Sequence, residues 1–192
     1  MLLKKIVAVV GMPGAGKSTV VNLIISKGQL PYLHFGMLTM EEVRRQKLPE
    51  TPQNEQKVRN ELRQKYGMAA YAHLSLPKIK NILETSDCLL IDGLYSWSEY
   101  VLLRQSQVGE IILLAVISSR DNRYRRLSTR EIRPLTSQQA EERDFSEITQ
   151  LEKGGPIALC DYYVTNDGTL EILDQQVSNL LLRLNIMLPA RQ

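Results

Sequence analysis

Hydrophobic residues along the chain fall into short unbroken runs, separated by longer stretches where apolar and charged residues recur at helical spacing. Lys4 to Val10 (KKIVAVV) is β-branched and continuously apolar after its lysines, the pattern of a strand buried on both faces of a parallel sheet. Residues 32–35 (YLHF), Cys88 to Asp92, Glu110 to Ile117 and Asp161 to Thr165 are the other runs, so five strands are expected. Between them the spacing predicts helices. TVVNLII gives one over Gly16 to Lys27, with Gly28 placed as its C-terminal cap. Thr39 to Thr85 is helical and rich in charge, punctuated by LPETPQ, where Thr51 caps a helix beginning at Pro52, and by Gly67. Pro77 is expected to kink or restart the last of these helices. Arg120 to Arg133 reads as a basic helix and turn stopped by Pro134, and Thr136 opens another helix that Gly154 and Gly155 end. A closing helix, Thr169 to Met187, sets Leu170, Leu173, Val177, Leu180, Leu181 and Leu184 on one side. Strand and helix alternate throughout, which predicts an α/β fold around a parallel sheet.

Composition narrows this picture. A chain of 192 residues holds one substantial domain and is too short for two ordinary ones, so 1–192 is read as a single domain. The longest apolar run, IILLAVI, suits a buried strand and falls far short of the roughly 20 residues needed to cross a bilayer. No membrane partner is expected. The N-terminus has no small-residue cleavage site and leads straight into a motif, and Cys88 and Cys160 sit far apart without metal-ligand spacing. A reducing, cytoplasmic setting is expected. A net charge of +3 does not imply nucleic acid, and a locally basic site for a phosphorylated small molecule accords with it.

Gly11 to Thr19 reads GMPGAGKST, which fits G-x-x-x-x-G-K-[ST] between a strand and a helix. Gly11, Gly14 and Gly16, with Met12, Pro13 and Ala15 between them, let backbone N–H groups converge on phosphate oxygens. The helix N-terminus that follows adds positive potential. Lys17 is expected to reach the β and γ phosphates of ATP, Ser18 to place its hydroxyl on Mg²⁺, and Thr19 to bond the α-phosphate.

Such a loop serves GTPases, motor ATPases and small-molecule kinases. A guanine-reading N-K-x-D motif is missing, the loop after the fifth strand reading TNDG. A motor ATPase needs further helical structure and usually an acidic pair where Asp92 is followed by Gly93. A kinase is therefore the leading reading. GMPGAGKSTV, LPETPQNEQKVRNELRQKYGMAAYA, LLIDGLYSWSE, RRLSTRE, RDFSE and IALCDYYVTNDGTLE, in that order, resemble the dephospho-CoA-kinase-like and adenylate-kinase-related P-loop kinases of the nucleoside-monophosphate-kinase type. The resemblance runs from about residue 4 to 182, and only its phosphate loop is highly specific. It implies a P-loop NTPase three-layer sandwich with a five-stranded parallel sheet. It also implies a helical substrate-binding segment over about 36–85 and a lid over about 130–150. By the same resemblance RRLSTR assigns Arg126 to adenine and Arg130 to phosphate, while Asn166 and Gly168 line the adenine pocket.

Two readings come from the residues themselves. Arg123, Arg126, Arg130 and Arg133 are spaced so that one helix through all of them would align their guanidiniums into a cationic face able to hold a triphosphate. Asp92 ends a parallel strand, where open α/β sheets bind ligands; it can hold Mg²⁺ through water or accept the proton of an acceptor hydroxyl. Arg143, in RDFSE, is placed to close onto phosphate, with Glu147 opposite. The acceptor side departs from the family pattern: Leu94, Tyr95 and Ser96 stand where relatives carry an arginine, and Met37 and Met40 where they carry an acid and an arginine. Among Arg44, Arg45, Arg59 and Arg63, Arg63 best matches the family's clamp, and Tyr95 and Trp97 stand where they could stack on a base or a pantetheine-like group. His34 and His73 read as structural or surface residues. Three functions stay open: a Mg²⁺-dependent ATP kinase of a small nucleotide-like metabolite, an ATP-binding regulator without acceptor turnover, and an RNA-directed kinase or RNA-binding ATPase.

Overall fold

Residues 4–186 are described by the computed structural model; the expected helix end at Met187 lies outside them. Five strands form, β1 Lys5–Val10, β2 Tyr32–His34, β3 Cys88–Asp92, β4 Glu110–Ile117 and β5 Tyr162–Thr165, in one sheet of order β2-β3-β1-β4-β5. Every pairing is parallel. Because side chains alternate along a strand, the apolar run of β1 feeds two cores at once. Ile6, Ala8 and Val10, with Leu89, Ile91, Leu113 and Ala115, face one layer of helices. Val7 and Val9, with Leu90, Ile112, Leu114 and Val116, face the other. The second layer is α1 Lys17–Gly28 and α9 Leu170–Arg183. The first comprises α2 Met37–Arg45, α3 Pro52–Tyr66, α4 Ala70–Thr85 and α5 Trp97–Gln105. This is the expected three-layer α/β sandwich of the P-loop NTPases. Fully burying each Leu, Ile or Val contributes about 1.5–3 kcal/mol, which accounts for the unbroken apolar runs in the middle of the sheet.

Past β4 come α6 Arg120–Ser128, α7 Ser137–Thr149 and α8 Gly154–Ala158, and here the structure departs most from the sequence reading. α6 stops at Ser128, and Arg133 takes a positive φ of 57° ahead of Pro134, so no helix joins Arg123 to Arg133. The expected single cationic face does not form. Gly154 and Gly155 open α8 rather than end α7, which stops at Thr149. Smaller corrections have local causes. Gln29, at φ 47°, supplies the left-handed cap of α1 in place of Gly28, its N–H donating to Ile25 O. α4 runs through Pro77 without restarting, and Leu170, 58% exposed, faces solvent while Leu173, Val177, Leu180, Leu181 and Leu184 are buried. Thr51 caps α3 as expected, accepting from Asn54 N–H.

Sheet order reverses direction at β1, and its carboxyl end is the point where chain connections diverge to opposite faces. The phosphate loop leaves the sheet there.

Candidate active site

Between Val10 and Lys17 the chain turns through the glycine-rich loop. Gly14 at φ 78° and Gly16 at φ 97° take left-handed conformations that a side chain would strain. Space forbids one as well: a Cβ on Gly14 would lie 2.6 Å from the Arg123 carbonyl oxygen. Lys17 Nζ donates to the carbonyl oxygens of Gly11 at 2.9 Å and Met12 at 3.1 Å, so the ammonium lies over the loop. Ser18 and Thr19 are exposed in the first turn of α1, at the positive end of the helix.

A set of polar side chains clamps this loop from outside. Arg123 donates to Pro13 O at 3.0 Å and pairs in a fork with Asp144 of α7 at 2.9 and 2.6 Å. Arg126 reaches Asn166 O at 2.5 Å, Ser118 Oγ at 3.1 Å and Gly14 O at 3.4 Å. Asn166 Nδ2 donates to Ala15 O at 2.8 Å, so Arg126, Asn166 and the loop are one unit. Gly168 is exposed at the edge of this group. Asp167, which the sequence reading passed over, accepts from Ser118 Oγ, Ser119 N–H and Asn122 Nδ2. The Ser118, Asn122 and Ser119 bonds hold its carboxyl near 2. The Asn-Asp-Gly turn was the available signal.

Asp92 lies on the strand next to β1, its Cα level with Val9 and thus two residues short of the loop. It is 9% exposed. Tyr32 donates its hydroxyl to Asp92 Oδ2 at 3.3 Å, and His34 Nε2 lies 3.9 Å from the same oxygen. Burial, then the Asp92 charge, raises the Tyr32 hydroxyl to about 12, so it remains a donor. Gly36 leaves room for the His34 ring, since a Cβ there would approach it to 2.8 Å. His34 was expected to be a structural or surface residue; a lone histidine ending a three-residue strand offers no motif that locates it beside Asp92.

Beyond Asp92 the aromatic residues lie against the segment that carries Lys153 and Gly155. Trp97 lies in the first turn of α5 against Gly155, where a Cβ would meet its ring at 2.7 Å. Tyr95 lies under Lys153, whose Nζ is 4.9 Å from the ring centroid. Lys153 is 2% exposed and ion-paired with Glu147, which also holds Arg143 at 3.1 Å. Burial pulls the Lys153 ammonium down against the opposing pull of Glu147. Burial, then the Lys153 charge, lowers Lys17 to about 7, with Glu147, Asp92 and Arg143 also acting on it. Lys17, Asp92, Lys153, Glu147 and Arg143 therefore share one electrostatic neighbourhood. Sequence reasoning had only Glu147 and Arg143 of the lid part, because a lysine before two glycines carries no pattern.

The remaining candidates divide. Arg44 pairs with Glu50, Arg45 with Glu42 and Arg59 with Glu55, whereas the Arg63 Nε is buried without a hydrogen-bond partner among the described residues, its guanidinium 5.8 Å from the Tyr71 ring centroid. Arg130 is exposed past the end of α6, its pKa lowered by partial burial and by the neighbouring Arg143. Arg133 crosses to α3 and bonds Glu55 at 3.1 Å. Among the described residues no group of three or more His, Cys, Asp or Glu could hold a metal ion, so a cation here would take Ser18 and Asp92 together with phosphate oxygens. The exposed Ser18 hydroxyl and the adjacent-strand carboxylate fit that donor set.

Comparison with known proteins agrees with this geometry. An AAA domain family model matches residues 7–150. A UPF0200 protein of Thermococcus sibiricus is 35% identical over 184 residues, spanning 94% of this chain and 96% of that protein. Among solved structures, shikimate kinase from Bacteroides thetaiotaomicron superposes with a TM-score of 0.59 at 14% identity, over 95% of this chain and 99% of that one. A gluconokinase from Sinorhizobium meliloti 1021 does so with a TM-score of 0.57 at 17% identity, over 95% and 94%. At such identities the likeness is one of fold. No helix among the described residues is long and apolar enough to cross a membrane.

Proposed function

The chain belongs to the UPF0200 family and carries an AAA-type P-loop domain, and from that premise we propose that it is a cytoplasmic, ATP- and Mg²⁺-dependent kinase of a small nucleotide-like metabolite. Dephospho-CoA and nucleoside monophosphates are the first acceptor classes. The observation that carries this reading is the phosphate loop between β1 and α1 with Asp92 at the carboxyl end of the adjacent strand, where its charge acts on Lys17. In this reading residues 1–192 act as one kinase domain, 36–85 form the acceptor side and 130–150 the lid. Backbone N–H groups of Gly11 to Thr19 hold the ATP phosphates and Lys17 leaves its carbonyl contacts to join them. Arg126, Asn166 and Gly168 flank the adenine, while Arg130 and Arg143 approach phosphate from the lid. Mg²⁺ bound through Ser18 and Asp92 would offset charge on the β and γ oxygens. Asp92 takes the proton of a hydroxyl acceptor; an ionised phosphate acceptor needs no base. Arg63 is the acceptor-side cation, since its buried Nε is left without a protein partner.

ADP release from ATP and Mg²⁺, measured across a panel of acceptors, tests the proposal. Acceptor-stimulated turnover is expected, and Lys17→Ala should weaken ATP binding by about 2–5 kcal/mol. Intact ATP binding with no stimulation by any acceptor would favour the regulator, which the missing arginine at Leu94 to Ser96 motivates. The RNA-directed reading rested on one helical face of arginines, and the end of α6 at Ser128 removes that face.

A further inference from the structure

The edge strand β2 is three residues long, yet two of its side chains converge on one carboxylate. Tyr32 lies opposite Leu90 of β3, and His34 opposite Asp92. Side chains alternate between the two faces of a sheet, and Leu90 belongs to the core packed against α1 and α9. Tyr32, His34 and Asp92 therefore project from the face that carries α1, the helix that opens with Lys17 and Ser18. The Tyr32 hydroxyl donates to Asp92 Oδ2 at 3.3 Å, and His34 Nε2 lies 3.9 Å from that same oxygen. Oδ1 takes no hydrogen bond from the described residues, so the two carboxylate oxygens are unequal. Burial does not account for the two rings, since Tyr32 is 42% exposed and the His34 side chain 32%. Their arrangement is nonetheless specified. The ring planes are within 5° of parallel with centroids 6.5 Å apart, and a Cβ on Gly36 would come within 2.8 Å of the imidazole. The Phe35 N–H donates to Asp92 O at 2.9 Å, which ties the end of β2 to the same residue through the backbone.

We propose that Tyr32 and His34 are positioning residues for Asp92, occupying Oδ2 and so committing Oδ1 to the proton of a hydroxyl acceptor. The inference rests on the kinase reading above. In the step itself the acceptor O–H proton passes to Oδ1, a bond from the acceptor oxygen to the γ-phosphorus forms, and the bond between that phosphorus and the ADP oxygen breaks. Tyr32 and His34 make and break no covalent bond. A carboxylate free to turn about its Cβ–Cγ bond presents either oxygen at varying angles, and a reacting group misplaced by about 1 Å can lose about 100-fold in rate. Residues that act only by preventing this change turnover and leave nucleotide affinity alone.

ADP release from ATP and Mg²⁺ with water as the only acceptor needs no identified substrate, and any alcohol that stimulates it can be measured alongside. Tyr32→Phe should lower kcat by about 10–100-fold, with ATP affinity by calorimetry changed less than about twofold and Tm unmoved. His34→Ala should give a smaller fall in the same parameter. The sharper measurement repeats Tyr32→Phe in the Asp92→Asn background, where no further fall is expected because both changes remove one function. Should that double variant melt at the assay temperature, the split between kcat and ATP affinity in the single variants decides. A kcat unchanged by Tyr32→Phe, or an equal fold-loss in both backgrounds, would overturn the inference. So would parallel losses of kcat and ATP affinity with a lower Tm, which would mark a structural role. A wild type that binds ATP but releases no ADP with any acceptor would instead refute the kinase reading, and the inference with it.

Discussion

On the phosphate-loop side of the cleft, polar side chains are bonded to protein: Arg123 to Pro13 and Asp144, Arg126 to Gly14 and Asn166, and Asn166 to Ala15. On the opposite side the balance is different. Among the described residues, Arg63 keeps a buried Nε without a partner, the Asp92 carboxylate is reached by Tyr32 and His34, and Lys153 and Arg143 share the carboxylate of Glu147. One side is complete before a ligand arrives; the other is left with unmet hydrogen-bonding capacity. Rigid loop geometry suits a ligand part that is always the same, the triphosphate. Incomplete pairing suits a site whose ligand supplies the missing acceptor.

Several substitutions would break this contrast if it is wrong. The largest effect is expected at Asp92. Asp92→Asn should lower acceptor-stimulated ADP release by about 10²–10⁴-fold while ATP affinity is retained, and equal losses in both would move Asp92 to the nucleotide side. Arg123→Met leaves Asp144 buried without its partner, and urea unfolding should show a loss of about 3–5 kcal/mol. A change below about 1 kcal/mol would mean that the pair is not sealed from water.

Titration sharpens the comparison further. Burial keeps the Glu99 carboxyl protonated in the fold up to about 7, whereas the unfolded chain ionises near its ordinary 4.5. Stability is therefore full below 4.5 and declines as pH rises to about 7, by up to about 3 kcal/mol. Glu99→Gln, which keeps a carbonyl for the Tyr95 and Ser96 N–H groups, should flatten that slope in pH-dependent melting. Lys17 has the opposite sign. Its lowered pKa contributes stability at high pH that is lost as pH falls from 10.5 toward 7. Phosphate returns the proton, so calorimetry near pH 8 in buffers of different ionisation heat should find proton uptake on ATP binding. The uptake should vanish in Lys17→Met. The smallest effect belongs to Arg45, whose pair with Glu42 lies in solvent: Arg45→Ala should leave both the unfolding midpoint and ATP affinity unmoved.

The amount legible in the sequence differs between the same two regions. All five strands and the capping of α3 by Thr51 were readable, since unbroken β-branched runs and a Thr-Pro start are local signals. The phosphate loop was readable because its chemistry is carried by consecutive backbone groups. Arg126 and Asn166 were reachable through resemblance, and they do meet beside the loop. The arginine stripe was misread because helical spacing presupposes a helix, and the chain leaves helical geometry after Ser128 on its way to Pro134. For Tyr95 and Trp97 the sequence allowed packing as well as stacking on a ligand, because an aromatic pair after an aspartate offers no clue to what packs on it. The answer, Lys153 and Gly155, lies more than fifty positions away.

The positions of the buried strands along the chain, the glycine positions and the placing of Lys17 at the start of α1 were therefore determined by sequence alone, because each depends on neighbours within a few residues. Which charges meet across the cleft was decided only by the tertiary structure. Parallel pairing of β1 with β3 and β4 sets Asp92 beside the loop, and β2 brings His34 and Tyr32 to Asp92. The return of the chain through α7 and α8 sets Lys153 and Glu147 over Tyr95. A charge acts through space over several ångströms whatever the distance along the chain, so the grouping of Lys17, Asp92, Lys153 and Glu147 has no signature in any one segment.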